Sequence, residues 1–250
     1  MIGRCKLCGE NRELCNSHII PEFCYKPLYD ENHRVTRVNL PEERHLFSPI
    51  QKGFREHLLC GDCEGLLNER YEKPFKEYWD KVQLPTSPPG AKIAGFDYAS
   101  FKLFHLTNLW RAGVCSGKGL KISLGSFGEK IRAMLLSNNP GPVDHYPILG
   151  RLMLKGASVY RAGPIGVHPL RGRHVNSPQY VLCYCGVEWI AILTDQPTHK
   201  ESQLAECAPQ ADGSMLLGVG DWLGGPSMRD IINRMRRGAD GGPGNGVLGT

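Results

Sequence analysis

Two cysteine pairs and one histidine carry the chemistry that this sequence offers. The pairs are Cys5-Lys6-Leu7-Cys8 and Cys60-Gly61-Asp62-Cys63, and the histidine lies in Asn16-Ser17-His18-Ile19-Ile20-Pro21. A two-residue spacer lets both thiolates of a turn face one metal. Two such turns supply the four soft donors of a closed, tetrahedral zinc site. Such an ion has no free coordination position, so its role is structural and not catalytic. Residues 9–59 separate the pairs, too long for a compact zinc ribbon. The ion must therefore clamp the ends of a substantial insert, and His18 lies in that insert.

The second pair opens a helix. Asp62 is a good N-cap, and Leu67, Tyr71 and Phe75 recur at i, i+4, i+8 as a stripe for the core. Glu64, Asn68 and Glu72 repeat with the same spacing on another face, either as metal ligands and hydrogen-bond acceptors or as a solvated acidic face. If the zinc brings the Ser17-His18 strand alongside this helix, His18 faces Glu64 and Asn68 across a small gap. A neutral imidazole beside oxygen ligands is what metal-assisted phosphodiester hydrolysis requires. The imidazole takes a proton from water, and a hard cation, Mg²⁺ or Mn²⁺, offsets the developing charge. The alternatives stay open: His18 as a cap on the zinc-knuckle strand, and Glu64 as a carboxylate stabilised at a helix N-terminus.

The order CxxCG, then SHIIP, then LLCGDCE opening a helix resembles the four-cysteine-zinc branch of the HNH endonucleases over residues 1–80. The resemblance implies a ββα-metal fold with Cys5, Cys8, Cys60 and Cys63 as zinc ligands. It implies His18 as general base, and Glu64 and Asn68 as magnesium ligands on the helix. Its implied substrate is DNA, and its implied setting bacterial defence or mobile elements. Two positions depart from the family pattern. Ser17 stands where many members carry an acidic metal ligand, and Asn39 is the one candidate for the family's middle asparagine. The rest of the chain resembles the region following this motif in uncharacterised bacterial proteins of similar size, which implies no function for it. A non-catalytic zinc module binding nucleic acid or a protein partner is the competing expectation, and a purely structural partner subunit the third.

The surrounding elements follow from pattern. Leu14–Ile20 and Phe54–Leu59 read as strands, and Pro21–Gln51 as a loop carrying a basic cluster of Arg34, Arg37 and Arg44 with His33 and His45. Pro74 should break or kink the helix, with Phe75–Val82 continuing as a second one. Residues 85–90, inside a proline-rich run, read as a linker. They divide a zinc domain (1–84) from an α+β domain (91–237) with helices and an antiparallel sheet. In the latter, Phe96–Val114, Phe127–Ser137 and Ser227–Arg237 read as helices, Arg111 beside Trp110 either as a functional group or as the commoner helix-end charge, and Tyr146–Tyr160 and Met215–Trp222 as strands. Tyr180–Cys185 with Glu188–Thr194 reads as a hairpin. The glycine-rich 238–250 is expected to be disordered.

Composition sets bounds. Apolar residues make up 41% and charged residues 22%, and no run reaches the ~20 apolar residues of a membrane span. With no apolar signal core at the start, the expectation is a cytoplasmic protein. Of ten cysteines, the six outside the CxxC pairs (Cys15, Cys24, Cys115, Cys183, Cys185, Cys207) are expected as reduced core residues. The formal charge is +5. Four thiolates and one divalent ion bring it to about +3, which permits a polyanionic partner without demanding one.

Overall fold

The computed structural model describes all residues except 39–46, 85–89, 118–119, 171–174 and 226–250. Strand β1 (Ile2–Arg4) turns through the first cysteine pair into β2 (Asn11–His18), and the two pair antiparallel. A short helix, α1 (Glu22–Tyr25), and a 3₁₀ turn (Lys26–Leu28) lead to a hairpin of β3 (Arg34–Val38) and β4 (Phe47–Gln51). The expected loop over 21–51 thus has structure of its own. Its strands escape a sequence search because β3 is largely polar and β4 contains Pro49. A two-stranded ribbon tolerates proline because both of its strands are edges.

Strand β5 (Arg55–Cys60) returns antiparallel to β2, giving the order β1-β2-β5 with an irregularity between Cys15 and Asn16. The second cysteine pair then opens α2 (Gly61–Leu67). The helical path does not break at Pro74. It widens into a π turn over Asn68–Glu72, where the Lys73 amide donates to the Asn68 carbonyl, and resumes as α3 (Lys73–Lys81). Proline at 74 cannot donate to the Arg70 carbonyl and its ring would strike it; a wider preceding turn relieves both problems.

Beyond the expected linker come β6 (Gly90–Ala94), α4 (Tyr98–Val114), α5 (Phe127–Ser137), β7 (Ile148–Lys155), β8 (Ser158–Val159) and β9 (Gly166–Leu170). Strands β10 (Gln179–Tyr184) and β11 (Val187–Ile192), helix α6 (His199–Ala205) and β12 (Ser214–Asp221) complete the described chain. The larger sheet runs β6-β12-β7-β11-β10-β9, with β8 against β7. All of its pairs are antiparallel except β7 with β12, which is parallel. The fold class is α+β. The strand expected over 146–160 divides at Gly156, whose φ of 64° makes the turn between β7 and β8. Helix α6 has a full capping box between Thr198 and Glu201. The expected terminal helix and the glycine-rich tail lie outside the described residues.

Helix α4 is the centre of the molecule. Asp97 caps it by accepting the Ser100 amide at 2.8 Å, and every residue from Phe101 to Ala112 is buried. A helix buried on every side is a core helix, and here Lys102, His105, Thr107, Asn108 and Arg111 are buried with its apolar residues. Its Phe104 stacks on Phe75 of α3 at 3.8 Å between centroids, and Trp79 of α3 meets Trp189 of β11 at 5.5 Å. Residues on both sides of the proline-rich run therefore share one hydrophobic core. Cys24, Cys115 and Cys185 are buried in it as expected and Cys183 is buried outside it, but Cys15 is only partly buried and Cys207 is exposed. Among the described residues, no helix is long and apolar enough to cross a membrane.

Candidate metal centre and active site

The β1–β2 turn and the start of α2 bring Cys5, Cys8, Cys60 and Cys63 together, with their sulfurs all within 4.8 Å of one another. Local backbone bonds shape the first turn. The Cys5 amide donates to Glu10, the Gly9 amide to Cys5, and the Lys6 amide to Leu58 of β5. Gly9 has a φ of 83°, a conformation that side chains disfavour. Cys8 Sγ and Cys60 Sγ lie 4.0 Å apart, far beyond a disulfide. A tetrathiolate with metal–sulfur bonds of ~2.3 Å has edges of roughly 3.8 Å, so the cluster fits a metal such as zinc. Burial opposes ionisation of Cys5, but amide hydrogen bonds from Cys60, Cys8 and Leu7 outweigh it and bring this thiol down to about 7. One ligand of the four is thus pre-set toward the thiolate that a metal needs.

Behind the cluster, α2 carries Glu64 to the end of β2. Here the structure differs from the sequence expectation in which side chain meets Glu64. The hydroxyl of Ser17, itself buried, donates to Glu64 Oε2 at 2.8 Å. His18 Nε2 instead lies 3.0 Å from the Lys52 carbonyl in the turn between β4 and β5. An accepting carbonyl requires Nε2 to carry the proton, which leaves Nδ1 as the basic nitrogen. Asn68, at the start of the π turn, is exposed, and its amide donates to Glu69 at 3.4 Å. Asn39, Arg44 and His45 lie outside the described residues. Arg34 is paired with Asp30 at 2.9 Å.

The residue that sequence reasoning undervalued is Arg111. It lies on α4, its side chain is 0% exposed, and its guanidinium spans Glu72 at 2.6 Å and Glu64 at 3.4 Å. The signal was present in the sequence: an arginine in the middle of a helix with a core stripe cannot be buried unpaired. The π turn matters for the pairing. Eight residues of regular helix would rotate Glu72 about 80° away from Glu64, and a wider turn closes part of that gap. The Glu64 side chain is 31% exposed, so the residue is partly accessible to solvent.

Burial lowers the proton affinity of His18, aided by the nearby positive charges of Arg55 and Arg111; the Lys52 carbonyl and Glu22 act in the opposite direction and do not overcome it. The imidazole is therefore neutral at pH 7. If it is the base, activity depends on this neutral form. The acid limb of kcat/KM should then fall below the ordinary histidine value of 6.5, and a pH–rate profile of the full-length protein checks this.

The turn holding the His18 ring is itself tightly constrained. Lys52 and Gly53 have φ values of 55° and 78°, and a Cβ on Gly53 would lie 2.7 Å from the buried Tyr25 ring. Gly53→Ala should destabilise the protein by about 2 kcal/mol through strain and overpacking. It should also displace the Lys52 carbonyl. Thermal melting, with the His18 Nε2 proton followed by NMR, checks both effects.

In comparisons with known proteins, the chain matches no family model, no curated protein and no solved structure.

Proposed function

We propose that the protein is a metal-dependent endonuclease of the HNH type, hydrolysing DNA phosphodiester bonds with His18 as general base. In this proposal a structural zinc sits on Cys5, Cys8, Cys60 and Cys63, and strands β2 and β5 with α2 form the ββα-metal unit. One observation carries the reading: an imidazole whose Nε2–H is directed to the Lys52 carbonyl, with Nδ1 left as base, one residue from a serine that hydrogen-bonds Glu64. A backbone carbonyl on the far nitrogen fixes the tautomer and orients the ring, as a general base needs. Glu64, whose side chain stays partly exposed, is an oxygen donor suited to Mg²⁺ or Mn²⁺, which keep several waters of their own. A cation held there would neutralise charge developing on the phosphoryl oxygens. His18 Nδ1 accepts the proton of the attacking water, and Ser17 holds the Glu64 carboxylate in place.

A second reading is supported by Arg111. Its guanidinium already pairs with both Glu64 and Glu72 and offsets one of their two charges, and this would suit a non-catalytic zinc module that binds nucleic acid or a protein. Plasmid nicking in Mg²⁺ by the wild type and by His18→Ala decides between them. Nicking that requires both His18 and the cation supports the endonuclease. DNA binding without cleavage, unchanged in His18→Ala and in chelator, supports the module.

A further inference from the structure

We propose that Arg111, supplied by helix α4, is a positioning residue of the Glu64 site and sets how tightly that site holds a divalent cation. The inference rests on the endonuclease reading for the site's purpose, and it gives residues beyond the zinc unit a role in that site.

The argument begins with charge. Glu64 and Glu72 converge on the guanidinium of Arg111, which is ion-paired with both. Its side chain is fully buried, so it cannot touch a substrate phosphate. Its Nε is buried without a hydrogen-bond partner, a cost accepted while the two terminal nitrogens reach the two carboxylates. Each oxygen of Glu64 is then engaged: Oε1 by Arg111 at 3.4 Å and Oε2 by Ser17 at 2.8 Å. Two donors on two oxygens fix the plane of a carboxylate that would otherwise rotate freely. The Glu64 side chain stays 31% exposed, so a cation can approach it from solvent while the two donors hold its orientation.

The same guanidinium weakens the attraction of Glu64 for a second positive charge. The site is therefore geometrically fixed and electrostatically moderated by one residue. Other contacts reinforce the placement of α4 and its flanking segments. Glu56 of β5 accepts the amides of Ser116 and Gly117 just past the end of α4, and Arg132 of α5 donates to the Leu7 carbonyl in the first cysteine turn.

The test uses full-length, zinc-loaded protein and Mn²⁺ as the probe. Mn²⁺ binding is followed by electron paramagnetic resonance without DNA, and nicking is measured across Mn²⁺ concentrations. Glu64→Gln identifies the site. Three variants are compared with wild type: Arg111→Lys, the charge-matched pair Arg111→Met with Glu72→Gln, and His18→Ala. The pair should bind Mn²⁺ about fivefold more tightly, since the nearest positive charge is gone, at a site that Glu64→Gln abolishes. Arg111→Lys keeps the charge but not the fork, so its Mn²⁺ affinity should stay within about twofold of wild type while turnover falls about tenfold. Unchanged Mn²⁺ affinity in the paired variant overturns the proposal, as does wild-type turnover in Arg111→Lys. If the paired variant does not fold, the Arg111→Lys turnover decides. If the wild type does not nick, or His18→Ala nicks equally well, the endonuclease reading fails while the Mn²⁺ titration still decides the role of Arg111.

Discussion

On the proposed zinc and endonuclease assignments, stripping the ion from the four cysteines should lower the melting temperature by about 10 °C or more and abolish nicking. The four sulfurs join chain segments on either side of residues 9–59. Cross-linking a loop of that size removes about 4 kcal/mol of unfolded-chain entropy on a polymer estimate. For a chain of this length each kcal/mol shifts the midpoint by roughly 2–4 °C. The effect should exceed the loop term alone, because the ion also offsets half the charge of four thiolates held together. The first cysteine turn donates to β5 through the Lys6 amide and is gripped by Arg132 from α5, so its loss loosens both flanks. Cys60→Ser and Cys63→Ser should reproduce the loss, and Cys207→Ser, at an exposed position, should leave the midpoint within about 1 °C. Metal content by mass spectrometry should fall from one zinc per chain to none in the two damaging variants. A variant that melts like wild type after losing its metal would remove the structural role assigned to the cluster.

Replacing His18 by alanine should lower the nicking rate by about 10²- to 10⁴-fold with little change in stability. The ring is half-buried and contributes one side-chain hydrogen bond, to the Lys52 carbonyl. Losing that bond costs about 1 kcal/mol, too little to unfold the protein. The rate effect follows from proton transfer. Water attacking a phosphodiester must lose its proton, and Nδ1 is the basic nitrogen that the tautomer leaves available. Ser17→Ala separates the neighbouring roles: it leaves the base in place but frees one oxygen of Glu64, so a smaller loss of about tenfold, with altered Mg²⁺ dependence, is expected. Single-turnover nicking of supercoiled plasmid by each variant, beside circular dichroism to verify folding, supplies the measurement. A His18→Ala protein that nicks at the wild-type rate would leave the imidazole without a catalytic role.

The sequence by itself determined the features that depend on short-range geometry. Two thiols on a two-residue spacer face one point whatever surrounds them, so the four-sulfur cluster could be read from spacing. The same holds for α5, found over the expected residues, and for the β10–β11 hairpin, with its β-branched and aromatic run on each side of a Cys185-Gly186 turn. The helical spacing of Leu103, Leu106, Trp110 and Val114 announced α4 as a buried helix and placed it within two residues.

Tertiary structure alone decided which side chains share the site. Adjacent residues of a strand point to different faces, so whether Ser17 or His18 meets Glu64 depends on register and on the irregularity after Cys15. Neither can be read from the chain. The π turn that brings Glu72 toward Glu64 arises from a proline that a sequence rule reads as a break. The charge that joins the two carboxylates, Arg111, is far away in sequence on another element. Electrostatic pairing across such separations is set by how whole elements pack, and local residue patterns hold no record of it.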